Sequence, residues 1–284
     1  MIAMWCRPIN RVFSTDPVRR LLSTPAAQHQ TDVDGYHRRQ EQEKTAFLDA
    51  FGPHGNVVGE RVMDLGCGLG AKTIAVSGAG AAKVVGIDTD LEKVRRAREV
   101  AGRSGADGIE FAVQSGSHLA FKDDCFDVVL LLDVVEHLTD PAKVVAECAR
   151  VLRSGGRMLV GFPPYRSPWG GHLFTHVPIP WVHLLFPDRE VLDLWRDAHL
   201  AAVRRGEVQC SAKRARAIIE AERTAELWNC NGMTVARFLE LVDRAPVRVR
   251  ETRFKTLGNV GGWVTKMPTL REHLVTRMMV VLAA

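Results

Sequence analysis

Val62-Met63-Asp64-Leu65-Gly66-Cys67-Gly68-Leu69-Gly70 sets the architecture of this chain. A mostly apolar, strand-like run ends on an acid and enters a loop with glycine at every second position. A helical pattern follows at once, from Ala71 to about Ser77. Glycine takes left-handed conformations at little steric cost and lets backbone approach a ligand closely. Such a turn sits at the carboxyl end of a strand, where open α/β sheets bind their ligands. On its own the segment points to a nucleotide-like cofactor.

Downstream, strands and helices alternate. Strands are expected at Val57–Leu65, Lys83–Asp88, Ile109–Val113, Phe126–Leu132 and Arg157–Phe162. Helices are expected at Leu91–Ser104, with Leu91, Val94, Ala97 and Ala101 on one face, and at Pro141–Leu152, stopped by Gly155-Gly156. Phe126–Leu132 is apolar on both faces, as a buried parallel strand requires. This rhythm implies a doubly wound parallel sheet of Rossmann-like α/β class.

The rhythm breaks at Pro163. Residues 163–187 are rich in proline, glycine, aromatics and histidine; helices are expected over 188–204, 211–228 and 234–242, with strands at Val247–Phe254 and Val275–Leu282. Upstream, a helix is expected from Tyr36 to Phe51, closed by Gly52-Pro53. The reading divides the chain into an N-terminal arm and helix (1–56), a cofactor-binding core (57–162), an acceptor loop and α-helical lid inserted after strand five (163–230), and a segment completing the sheet (231–284).

Composition is that of a globular protein, with 46% hydrophobic and 25% charged residues in 284. Its apolar runs, Val128–Leu132 among them, are strand length, far below the roughly 20 residues of a membrane helix. Six scattered cysteines without a C-x-x-C pair favour free thiols in a reducing, cytoplasmic setting over disulfides or structural zinc. The first 30 residues carry four arginines and one acid with no continuous apolar region, unlike a secretory signal. They read as an arm packed near the site, or as a mitochondrial presequence in a eukaryote. Net charge is uneven: residues 189–284 hold 17 Lys+Arg against 11 Asp+Glu, the preceding 188 hold 21 against 22. The basic third is interleaved with acids (Arg214 and Arg216, then Glu220 and Glu222), which suits a solvated helix face and argues against nucleic acid as partner.

Gly66-Cys67-Gly68-Leu69-Gly70-Ala71 also satisfies the dinucleotide pattern G-x-G-x-x-G/A, and Asp88 lies 20 residues beyond Gly68. A ribose-binding acid there serves NAD and S-adenosylmethionine alike. Two features separate them. Asp64, an acid before the first glycine, suits an ammonium and would repel a pyrophosphate. The run Phe126-Asp127-Val128-Val129, Asp133, Glu136-His137-Leu138 and Arg150–Gly156 is the second.

With those segments the chain resembles the class I S-adenosylmethionine-dependent methyltransferases, in the broad type that includes the ubiquinone and menaquinone C-methyltransferases. The resemblance covers roughly 57–162. It implies a seven-stranded sheet with the last strand antiparallel, for which Val275–Leu282 is well placed. It also implies S-adenosyl-L-methionine as cofactor and a small-molecule methyl acceptor. Carried over, Gly66 and Gly68 lie against the methionine part, Asp64 serves its ammonium, Asp88 accepts both ribose hydroxyls, and Asp133 flanks the cofactor after strand four. Where the family has Asp and a small residue before Leu119, this chain has Ser115 and Gly116; Ser115 or Gln114 would meet the adenine amino group. Asp64 can instead cap the loop amides, and Asp88 can instead cap the next helix.

Residues 162–176 follow the strand whose carboxyl end faces the transferred methyl in that family, and they hold Tyr165, Trp169, His172 and His176. Aromatic faces stabilise a sulfonium and stack on flat substrates. His172 is the first candidate general base and His176 the second, with Tyr165 as an orienting donor. A metal pair at His172 and His176 is not expected, because Gly-Gly and proline oppose the helix that spacing needs. Rival readings are an NAD-dependent oxidoreductase, an RNA methyltransferase and a cofactor-binding scaffold without catalysis.

Overall fold

The computed structural model describes residues 6–13, 15, 46–174, 176–205, 212–258 and 262–284. The expected helix Tyr36–Phe51 therefore lies mostly outside the described residues, as do residues 16–45 of the arm. The chain divides into two compact units. One comprises Val33–Phe162, Arg237–Arg253 and Met278–Ala284; the other comprises Met1–Asp32, Pro163–Ala236 and Phe254–Arg277. One change of unit falls at Pro163, and the chain crosses between units several times where the sequence reading has consecutive blocks.

In chain order, the elements begin with α1 (Cys6–Phe13), α2 (Ala46–Asp49) and a 3-10 turn at Gly52–Gly55. The sheet unit continues through β1 (Arg61–Leu65), α3 (Ala71–Gly78), β2 (Lys83–Asp88), α4 (Leu91–Ser104), β3 (Ile109–Val113), β4 (Phe126–Leu132), α5 (Pro141–Val151) and β5 (Leu152–Phe162). There follow α6 (Val182–Leu185), α7 (Asp188–Arg204), α8 (Ala212–Glu220) and α9 (Val235–Asp243), then β6 (Arg248–Thr256), α10 (Pro268–Leu274) and β7 (Val275–Ala283). Strand order is β3-β2-β1-β4-β5-β7-β6. β1 to β5 run parallel, and β7 pairs antiparallel with β5, from Arg157↔Ala283 to Phe162↔Met278. The order reverses between β1 and β4, which opens a crevice at their carboxyl ends.

Four departures from the sequence reading have plain causes. β1 starts at Arg61, because Gly59 (φ +75°) turns the chain and its N–H bonds Gly80 O at 2.8 Å. Val57 is buried but lies off the strand. Leu91, the first residue of α4, is 66% exposed, while Val94 and Ala97 are fully buried. Gly155-Gly156 does not stop α5. It bends β5, whose strand geometry begins at Leu152, and a Cβ on Gly156 would lie 2.9 Å from Arg153 O. The expected helix over 211–228 is broken: α8 ends at Glu220, and Glu226 Oε2 takes the N–H groups of Glu222 and Arg223 to start a 3-10 turn at Thr224–Trp228.

β4 is buried along its whole length, including Asp127. That carboxylate accepts the Arg61 N–H at 2.7 Å and the guanidinium groups of Arg61 and Arg153. Burial alone would push it up, but the two arginines and the amide win and hold it at about 2, below the ordinary 3.8. A depressed folded value stabilises the fold above the unfolded value and loses that contribution as pH falls through the folded one. Asp127→Asn should therefore cost about 1–2 kcal/mol at neutral pH, discounted because both arginines are half exposed. The gap between wild type and variant should close as pH falls from about 4 to about 2, as read by urea melts across that range.

The second unit has its own core: Leu173 and Val177 pack with Val191, Leu192, Trp195, Ile218 and Leu227. Ile218 is buried there, whereas Ile219 is 74% exposed. Among the described residues, no helix is long and apolar enough to cross a membrane.

Candidate functional site

The three loop glycines are needed for three different reasons. Gly66 has φ +77°, and a Cβ on it would sit 2.5 Å from Val134 Cγ2. Gly70 has φ +82° and starts α3; its Cβ would meet Ala97 and Phe111 at 2.9 Å. Gly68 has φ +56° and no atom within 4 Å of the Cβ position. Its missing side chain leaves open space over the loop, as a ligand cradle requires. The loop is pinned beneath by Ile87 O, which accepts from Gly66 N at 2.7 Å and Cys67 N at 3.0 Å.

Asp88, at the end of β2, accepts from Gly68 N at 3.0 Å through Oδ2 and from Asp90 N at 2.9 Å through Oδ1. The cap of α4 is Asp90, which takes the N–H groups of Glu92 and Lys93. Asp88 is thus released from capping. A carboxylate has about four acceptor positions, so each of its oxygens retains one for a diol.

Asp64 is 2% exposed and accepts the Thr73 hydroxyl at 2.6 Å. Burial raises its pKa, opposed by the Thr73 bond and by nearby Lys72. The amides of Gly66, Cys67, Gly68 and Gly70 go to other acceptors. Asp133 follows β4 with φ +62°, its N–H bonded to Gly161 O at 2.8 Å. Its Oδ2 lies 2.9 Å from Lys72 Nζ, which also donates to Leu132 O at 3.2 Å. Lys72 and Thr73 escaped the sequence reading. The signal was present: a carboxylate buried at a strand end needs a neutralising partner, and the first turn of the following helix is where the chain can supply one.

Asp64, Gly66, Gly68, Asp88 and Asp133 thus gather at the carboxyl ends of β1, β2 and β4. Ser115 and Gly116 follow β3. Ser115 is exposed, with Oγ 2.9 Å from Ser117 Oγ. Gly116 is small for packing: a Cβ there would lie 3.0 Å from Leu65 Cδ1 and 3.2 Å from Val144 Cγ1. Gln114 Oε1 accepts from Ala120 N at 3.0 Å.

Tyr165, His172 and His176 belong to the other unit. Tyr165 lies near Thr224, whose Oγ1 donates to Asp188 Oδ1 at 2.5 Å. Burial, with Asp188 and Cys230 nearby, raises the phenol above its ordinary value, so it stays protonated. His183, which the sequence reading passed over, is buried and held neutral by that burial; its Nε2–H donates to Tyr165 O at 2.6 Å. His172 is half-buried with φ +56°, on a turn where its N–H bonds Trp169 O at 3.0 Å. His176 packs edge-on against Trp195, with Nε2 3.2 Å from His199 Nδ1. His199 in turn stacks on Trp195. His172 and His176 share no helix.

A reversed-order sheet, a glycine cradle and an acid with two acceptor positions to spare define a nucleoside-cofactor domain. Residues 63–160 match the model of a family described as a methyltransferase domain. The 27-O-demethylrifamycin SV methyltransferase of Amycolatopsis mediterranei is 36% identical over 104 residues, 36% of this chain and 38% of that protein. A ubiquinone biosynthesis O-methyltransferase of Xanthomonas oryzae is 32% identical over 130 residues, 45% of this chain and 54% of that protein. The chain therefore spans about half, or less, of these curated relatives. The fold is also that of an S-adenosylmethionine-dependent methyltransferase from Mesorhizobium loti (TM-score 0.52, 20% identity, covering 89% of this chain and all of that one). Residues 63–160 are thus a methyltransferase domain by that family model, and the cofactor of such a domain is S-adenosyl-L-methionine. The open cradle at Gly68 and the two remaining acceptor positions of Asp88 fit that cofactor.

Proposed function

We propose that this protein transfers a methyl group from S-adenosylmethionine to a hydroxyl oxygen of a small or medium organic acceptor, such as a specialised metabolite or a quinone-like compound. The observation that carries methyl transfer is the Asp88–Gly68 cradle within a matched methyltransferase domain. Oxygen as the acceptor atom is supported by the names of the rifamycin and ubiquinone relatives, which are O-methyltransferases or carry the 27-O position.

When bound, the cofactor supplies a methyl already activated by a positive sulfur. The protein's task is then to orient the acceptor, exclude water and remove a proton. On this reading, Gly66 and Gly68 hold the methionine part, Asp88 the ribose diol, and Ser115 and Gly116 border the adenine. Asp64 acts through its field and through Thr73, since its carboxylate is buried. Residues 163–230 carry acceptor recognition. Tyr165, kept protonated, donates a hydrogen bond to the acceptor, and His172 takes its proton. His176 supports them by fixing the loop onto Trp195 and His199.

The test is calorimetry with S-adenosylmethionine, followed by a labelled-methyl assay against phenols, catechols, alcohols, amines and RNA. His172→Ala should lower turnover by about 100-fold or more, with cofactor affinity unchanged. Full activity in that variant removes His172 as the base. Cofactor binding with no labelled product from any acceptor would favour the scaffold reading.

A further inference from the structure

α10 escaped the sequence reading, yet two of its successive residues hold the segment that carries Tyr165. Glu272 is only 7% exposed, and both of its carboxylate oxygens go to the start of α9. Oε1 accepts from Ala236 N at 2.7 Å and Oε2 from Val235 N at 3.2 Å. These are the first two residues of α9, so its cap comes from 36 to 37 residues downstream. Just before α9, Met233 O accepts from Tyr165 N at 2.7 Å. Tyr165 O is held from the other side by His183, whose ring also lies edge-on to the phenol ring at 4.9 Å. The next residue of α10 acts on the same segment: His273 O accepts from the Trp181 indole at 2.9 Å. All of these residues belong to the second unit.

The first amides of a helix need an acceptor, but a side chain beside them in sequence can supply it. A cap from α10 does something more. It fixes the start of α9, and Met233 with it, against a separate element. A carboxylate suits that task, because it accepts from two amides at once and its charge favours a helix N-terminus. We propose that Glu272 is a positioning residue: through the start of α9 and Met233 it sets where Tyr165 stands, while His273 secures the far end of segment 163–187 through Trp181. Its consequence for methyl transfer rests on the reading of Tyr165 as the donor that orients the acceptor. On that reading Glu272 acts only through the main chain of Tyr165.

Hydrogen exchange on the full chain tests the link without any acceptor. Pro163 and Pro164 carry no amide hydrogen, so a peptide beginning there reports Tyr165 with little overlap. Glu272→Met keeps the bulk of the side chain and removes both acceptor oxygens. The Tyr165 amide should then exchange about tenfold faster or more, the scale of one lost hydrogen bond. The Val177 amide, bonded to Leu173 O at 2.8 Å in the core of the same unit, should stay within about twofold, as expected of a local opening. Glu272→Gln keeps the volume and one acceptor oxygen, so its Tyr165 amide should exchange at an intermediate rate. Equal acceleration at Tyr165 and Val177 would mean that Glu272 stabilises the unit as a whole, and it overturns the positioning role. Wild-type exchange at Tyr165 in Glu272→Gln overturns it too, even where the methionine variant does not fold. The donor reading is decided separately: full activity of Tyr165→Phe in the labelled-methyl assay removes it and leaves the exchange result in place.

Discussion

Gly66→Ala is expected to destabilise the protein by about 2–4 kcal/mol, while Gly68→Ala is expected to cost stability far less and cofactor affinity far more. Both residues sit in the left-handed region, at φ +77° and +56°, so each alanine carries a strain of about 1–2 kcal/mol. The difference lies in what the new methyl meets. At position 66 it runs into Val134 at 2.5 Å. Val134 is buried and β-branched, so it has one stiff rotamer and little room to yield. Overpacking of this sort adds about 1–3 kcal/mol. At position 68 the methyl meets no protein atom within 4 Å and enters the open cradle instead. It should lower S-adenosylmethionine affinity by about tenfold or more, from one overpacked methyl in the bound state. Thermal melts and calorimetry on the two variants give opposite rankings if the cradle is the cofactor site. Equal affinity for wild type and Gly68→Ala would place the ligand elsewhere.

Asp88→Ala should weaken cofactor binding by about 1–3 kcal/mol per hydrogen bond left unmade. Two effects combine. The ribose diol loses its acceptor, and Gly68 N loses the carboxylate that now holds it at 3.0 Å. The cradle is then both unfurnished and loosened. Asp88→Asn separates these contributions, because its remaining carbonyl oxygen can serve Gly68 N or one hydroxyl, but not every partner. Its affinity should fall between those of wild type and Asp88→Ala. A titration showing wild-type affinity in Asp88→Ala would remove the ribose assignment. Folding should be less affected than binding, since Asp88 is half-buried and Asp90 continues to cap α4.

Much of the sheet unit was legible because its punctuation is local. β2, β3, β4 and α4 begin and end as the sequence predicts, each bounded by glycine, aspartate or a change of hydrophobic period. The sheet's final antiparallel strand came from family resemblance and not from periodicity, which cannot tell direction. The misplacements share one cause, tertiary packing that local pattern does not encode. Val57 is buried without belonging to β1, and Gly155-Gly156 serves a bent strand where it reads as a helix stop. The site followed the same division. Gly66, Gly68 and Asp88 are visible as a spaced motif. Lys72 is not, because its role depends on Asp133, which lies 61 residues away in sequence. The sequence places His176 second to His172 as a candidate base, and it gives no sign of His199 and Trp195 of α7, which pack against His176.

The position of β7 has a consequence for how the sheet is assembled. β6 precedes β7 in the chain yet lies outside it, at the far edge of the sheet. It can therefore join the sheet only through β7, which docks on β5 between Arg157 and Phe162. β1 to β5 form by connections of short to moderate length, whereas the β5–β7 ladder closes a loop of more than a hundred residues. Loop closure of that span is slow relative to local pairing. The amides of β6 should thus gain protection last during refolding and be the first in the sheet to exchange. This order makes the boundary strand a reporter of whether the last ladder has closed.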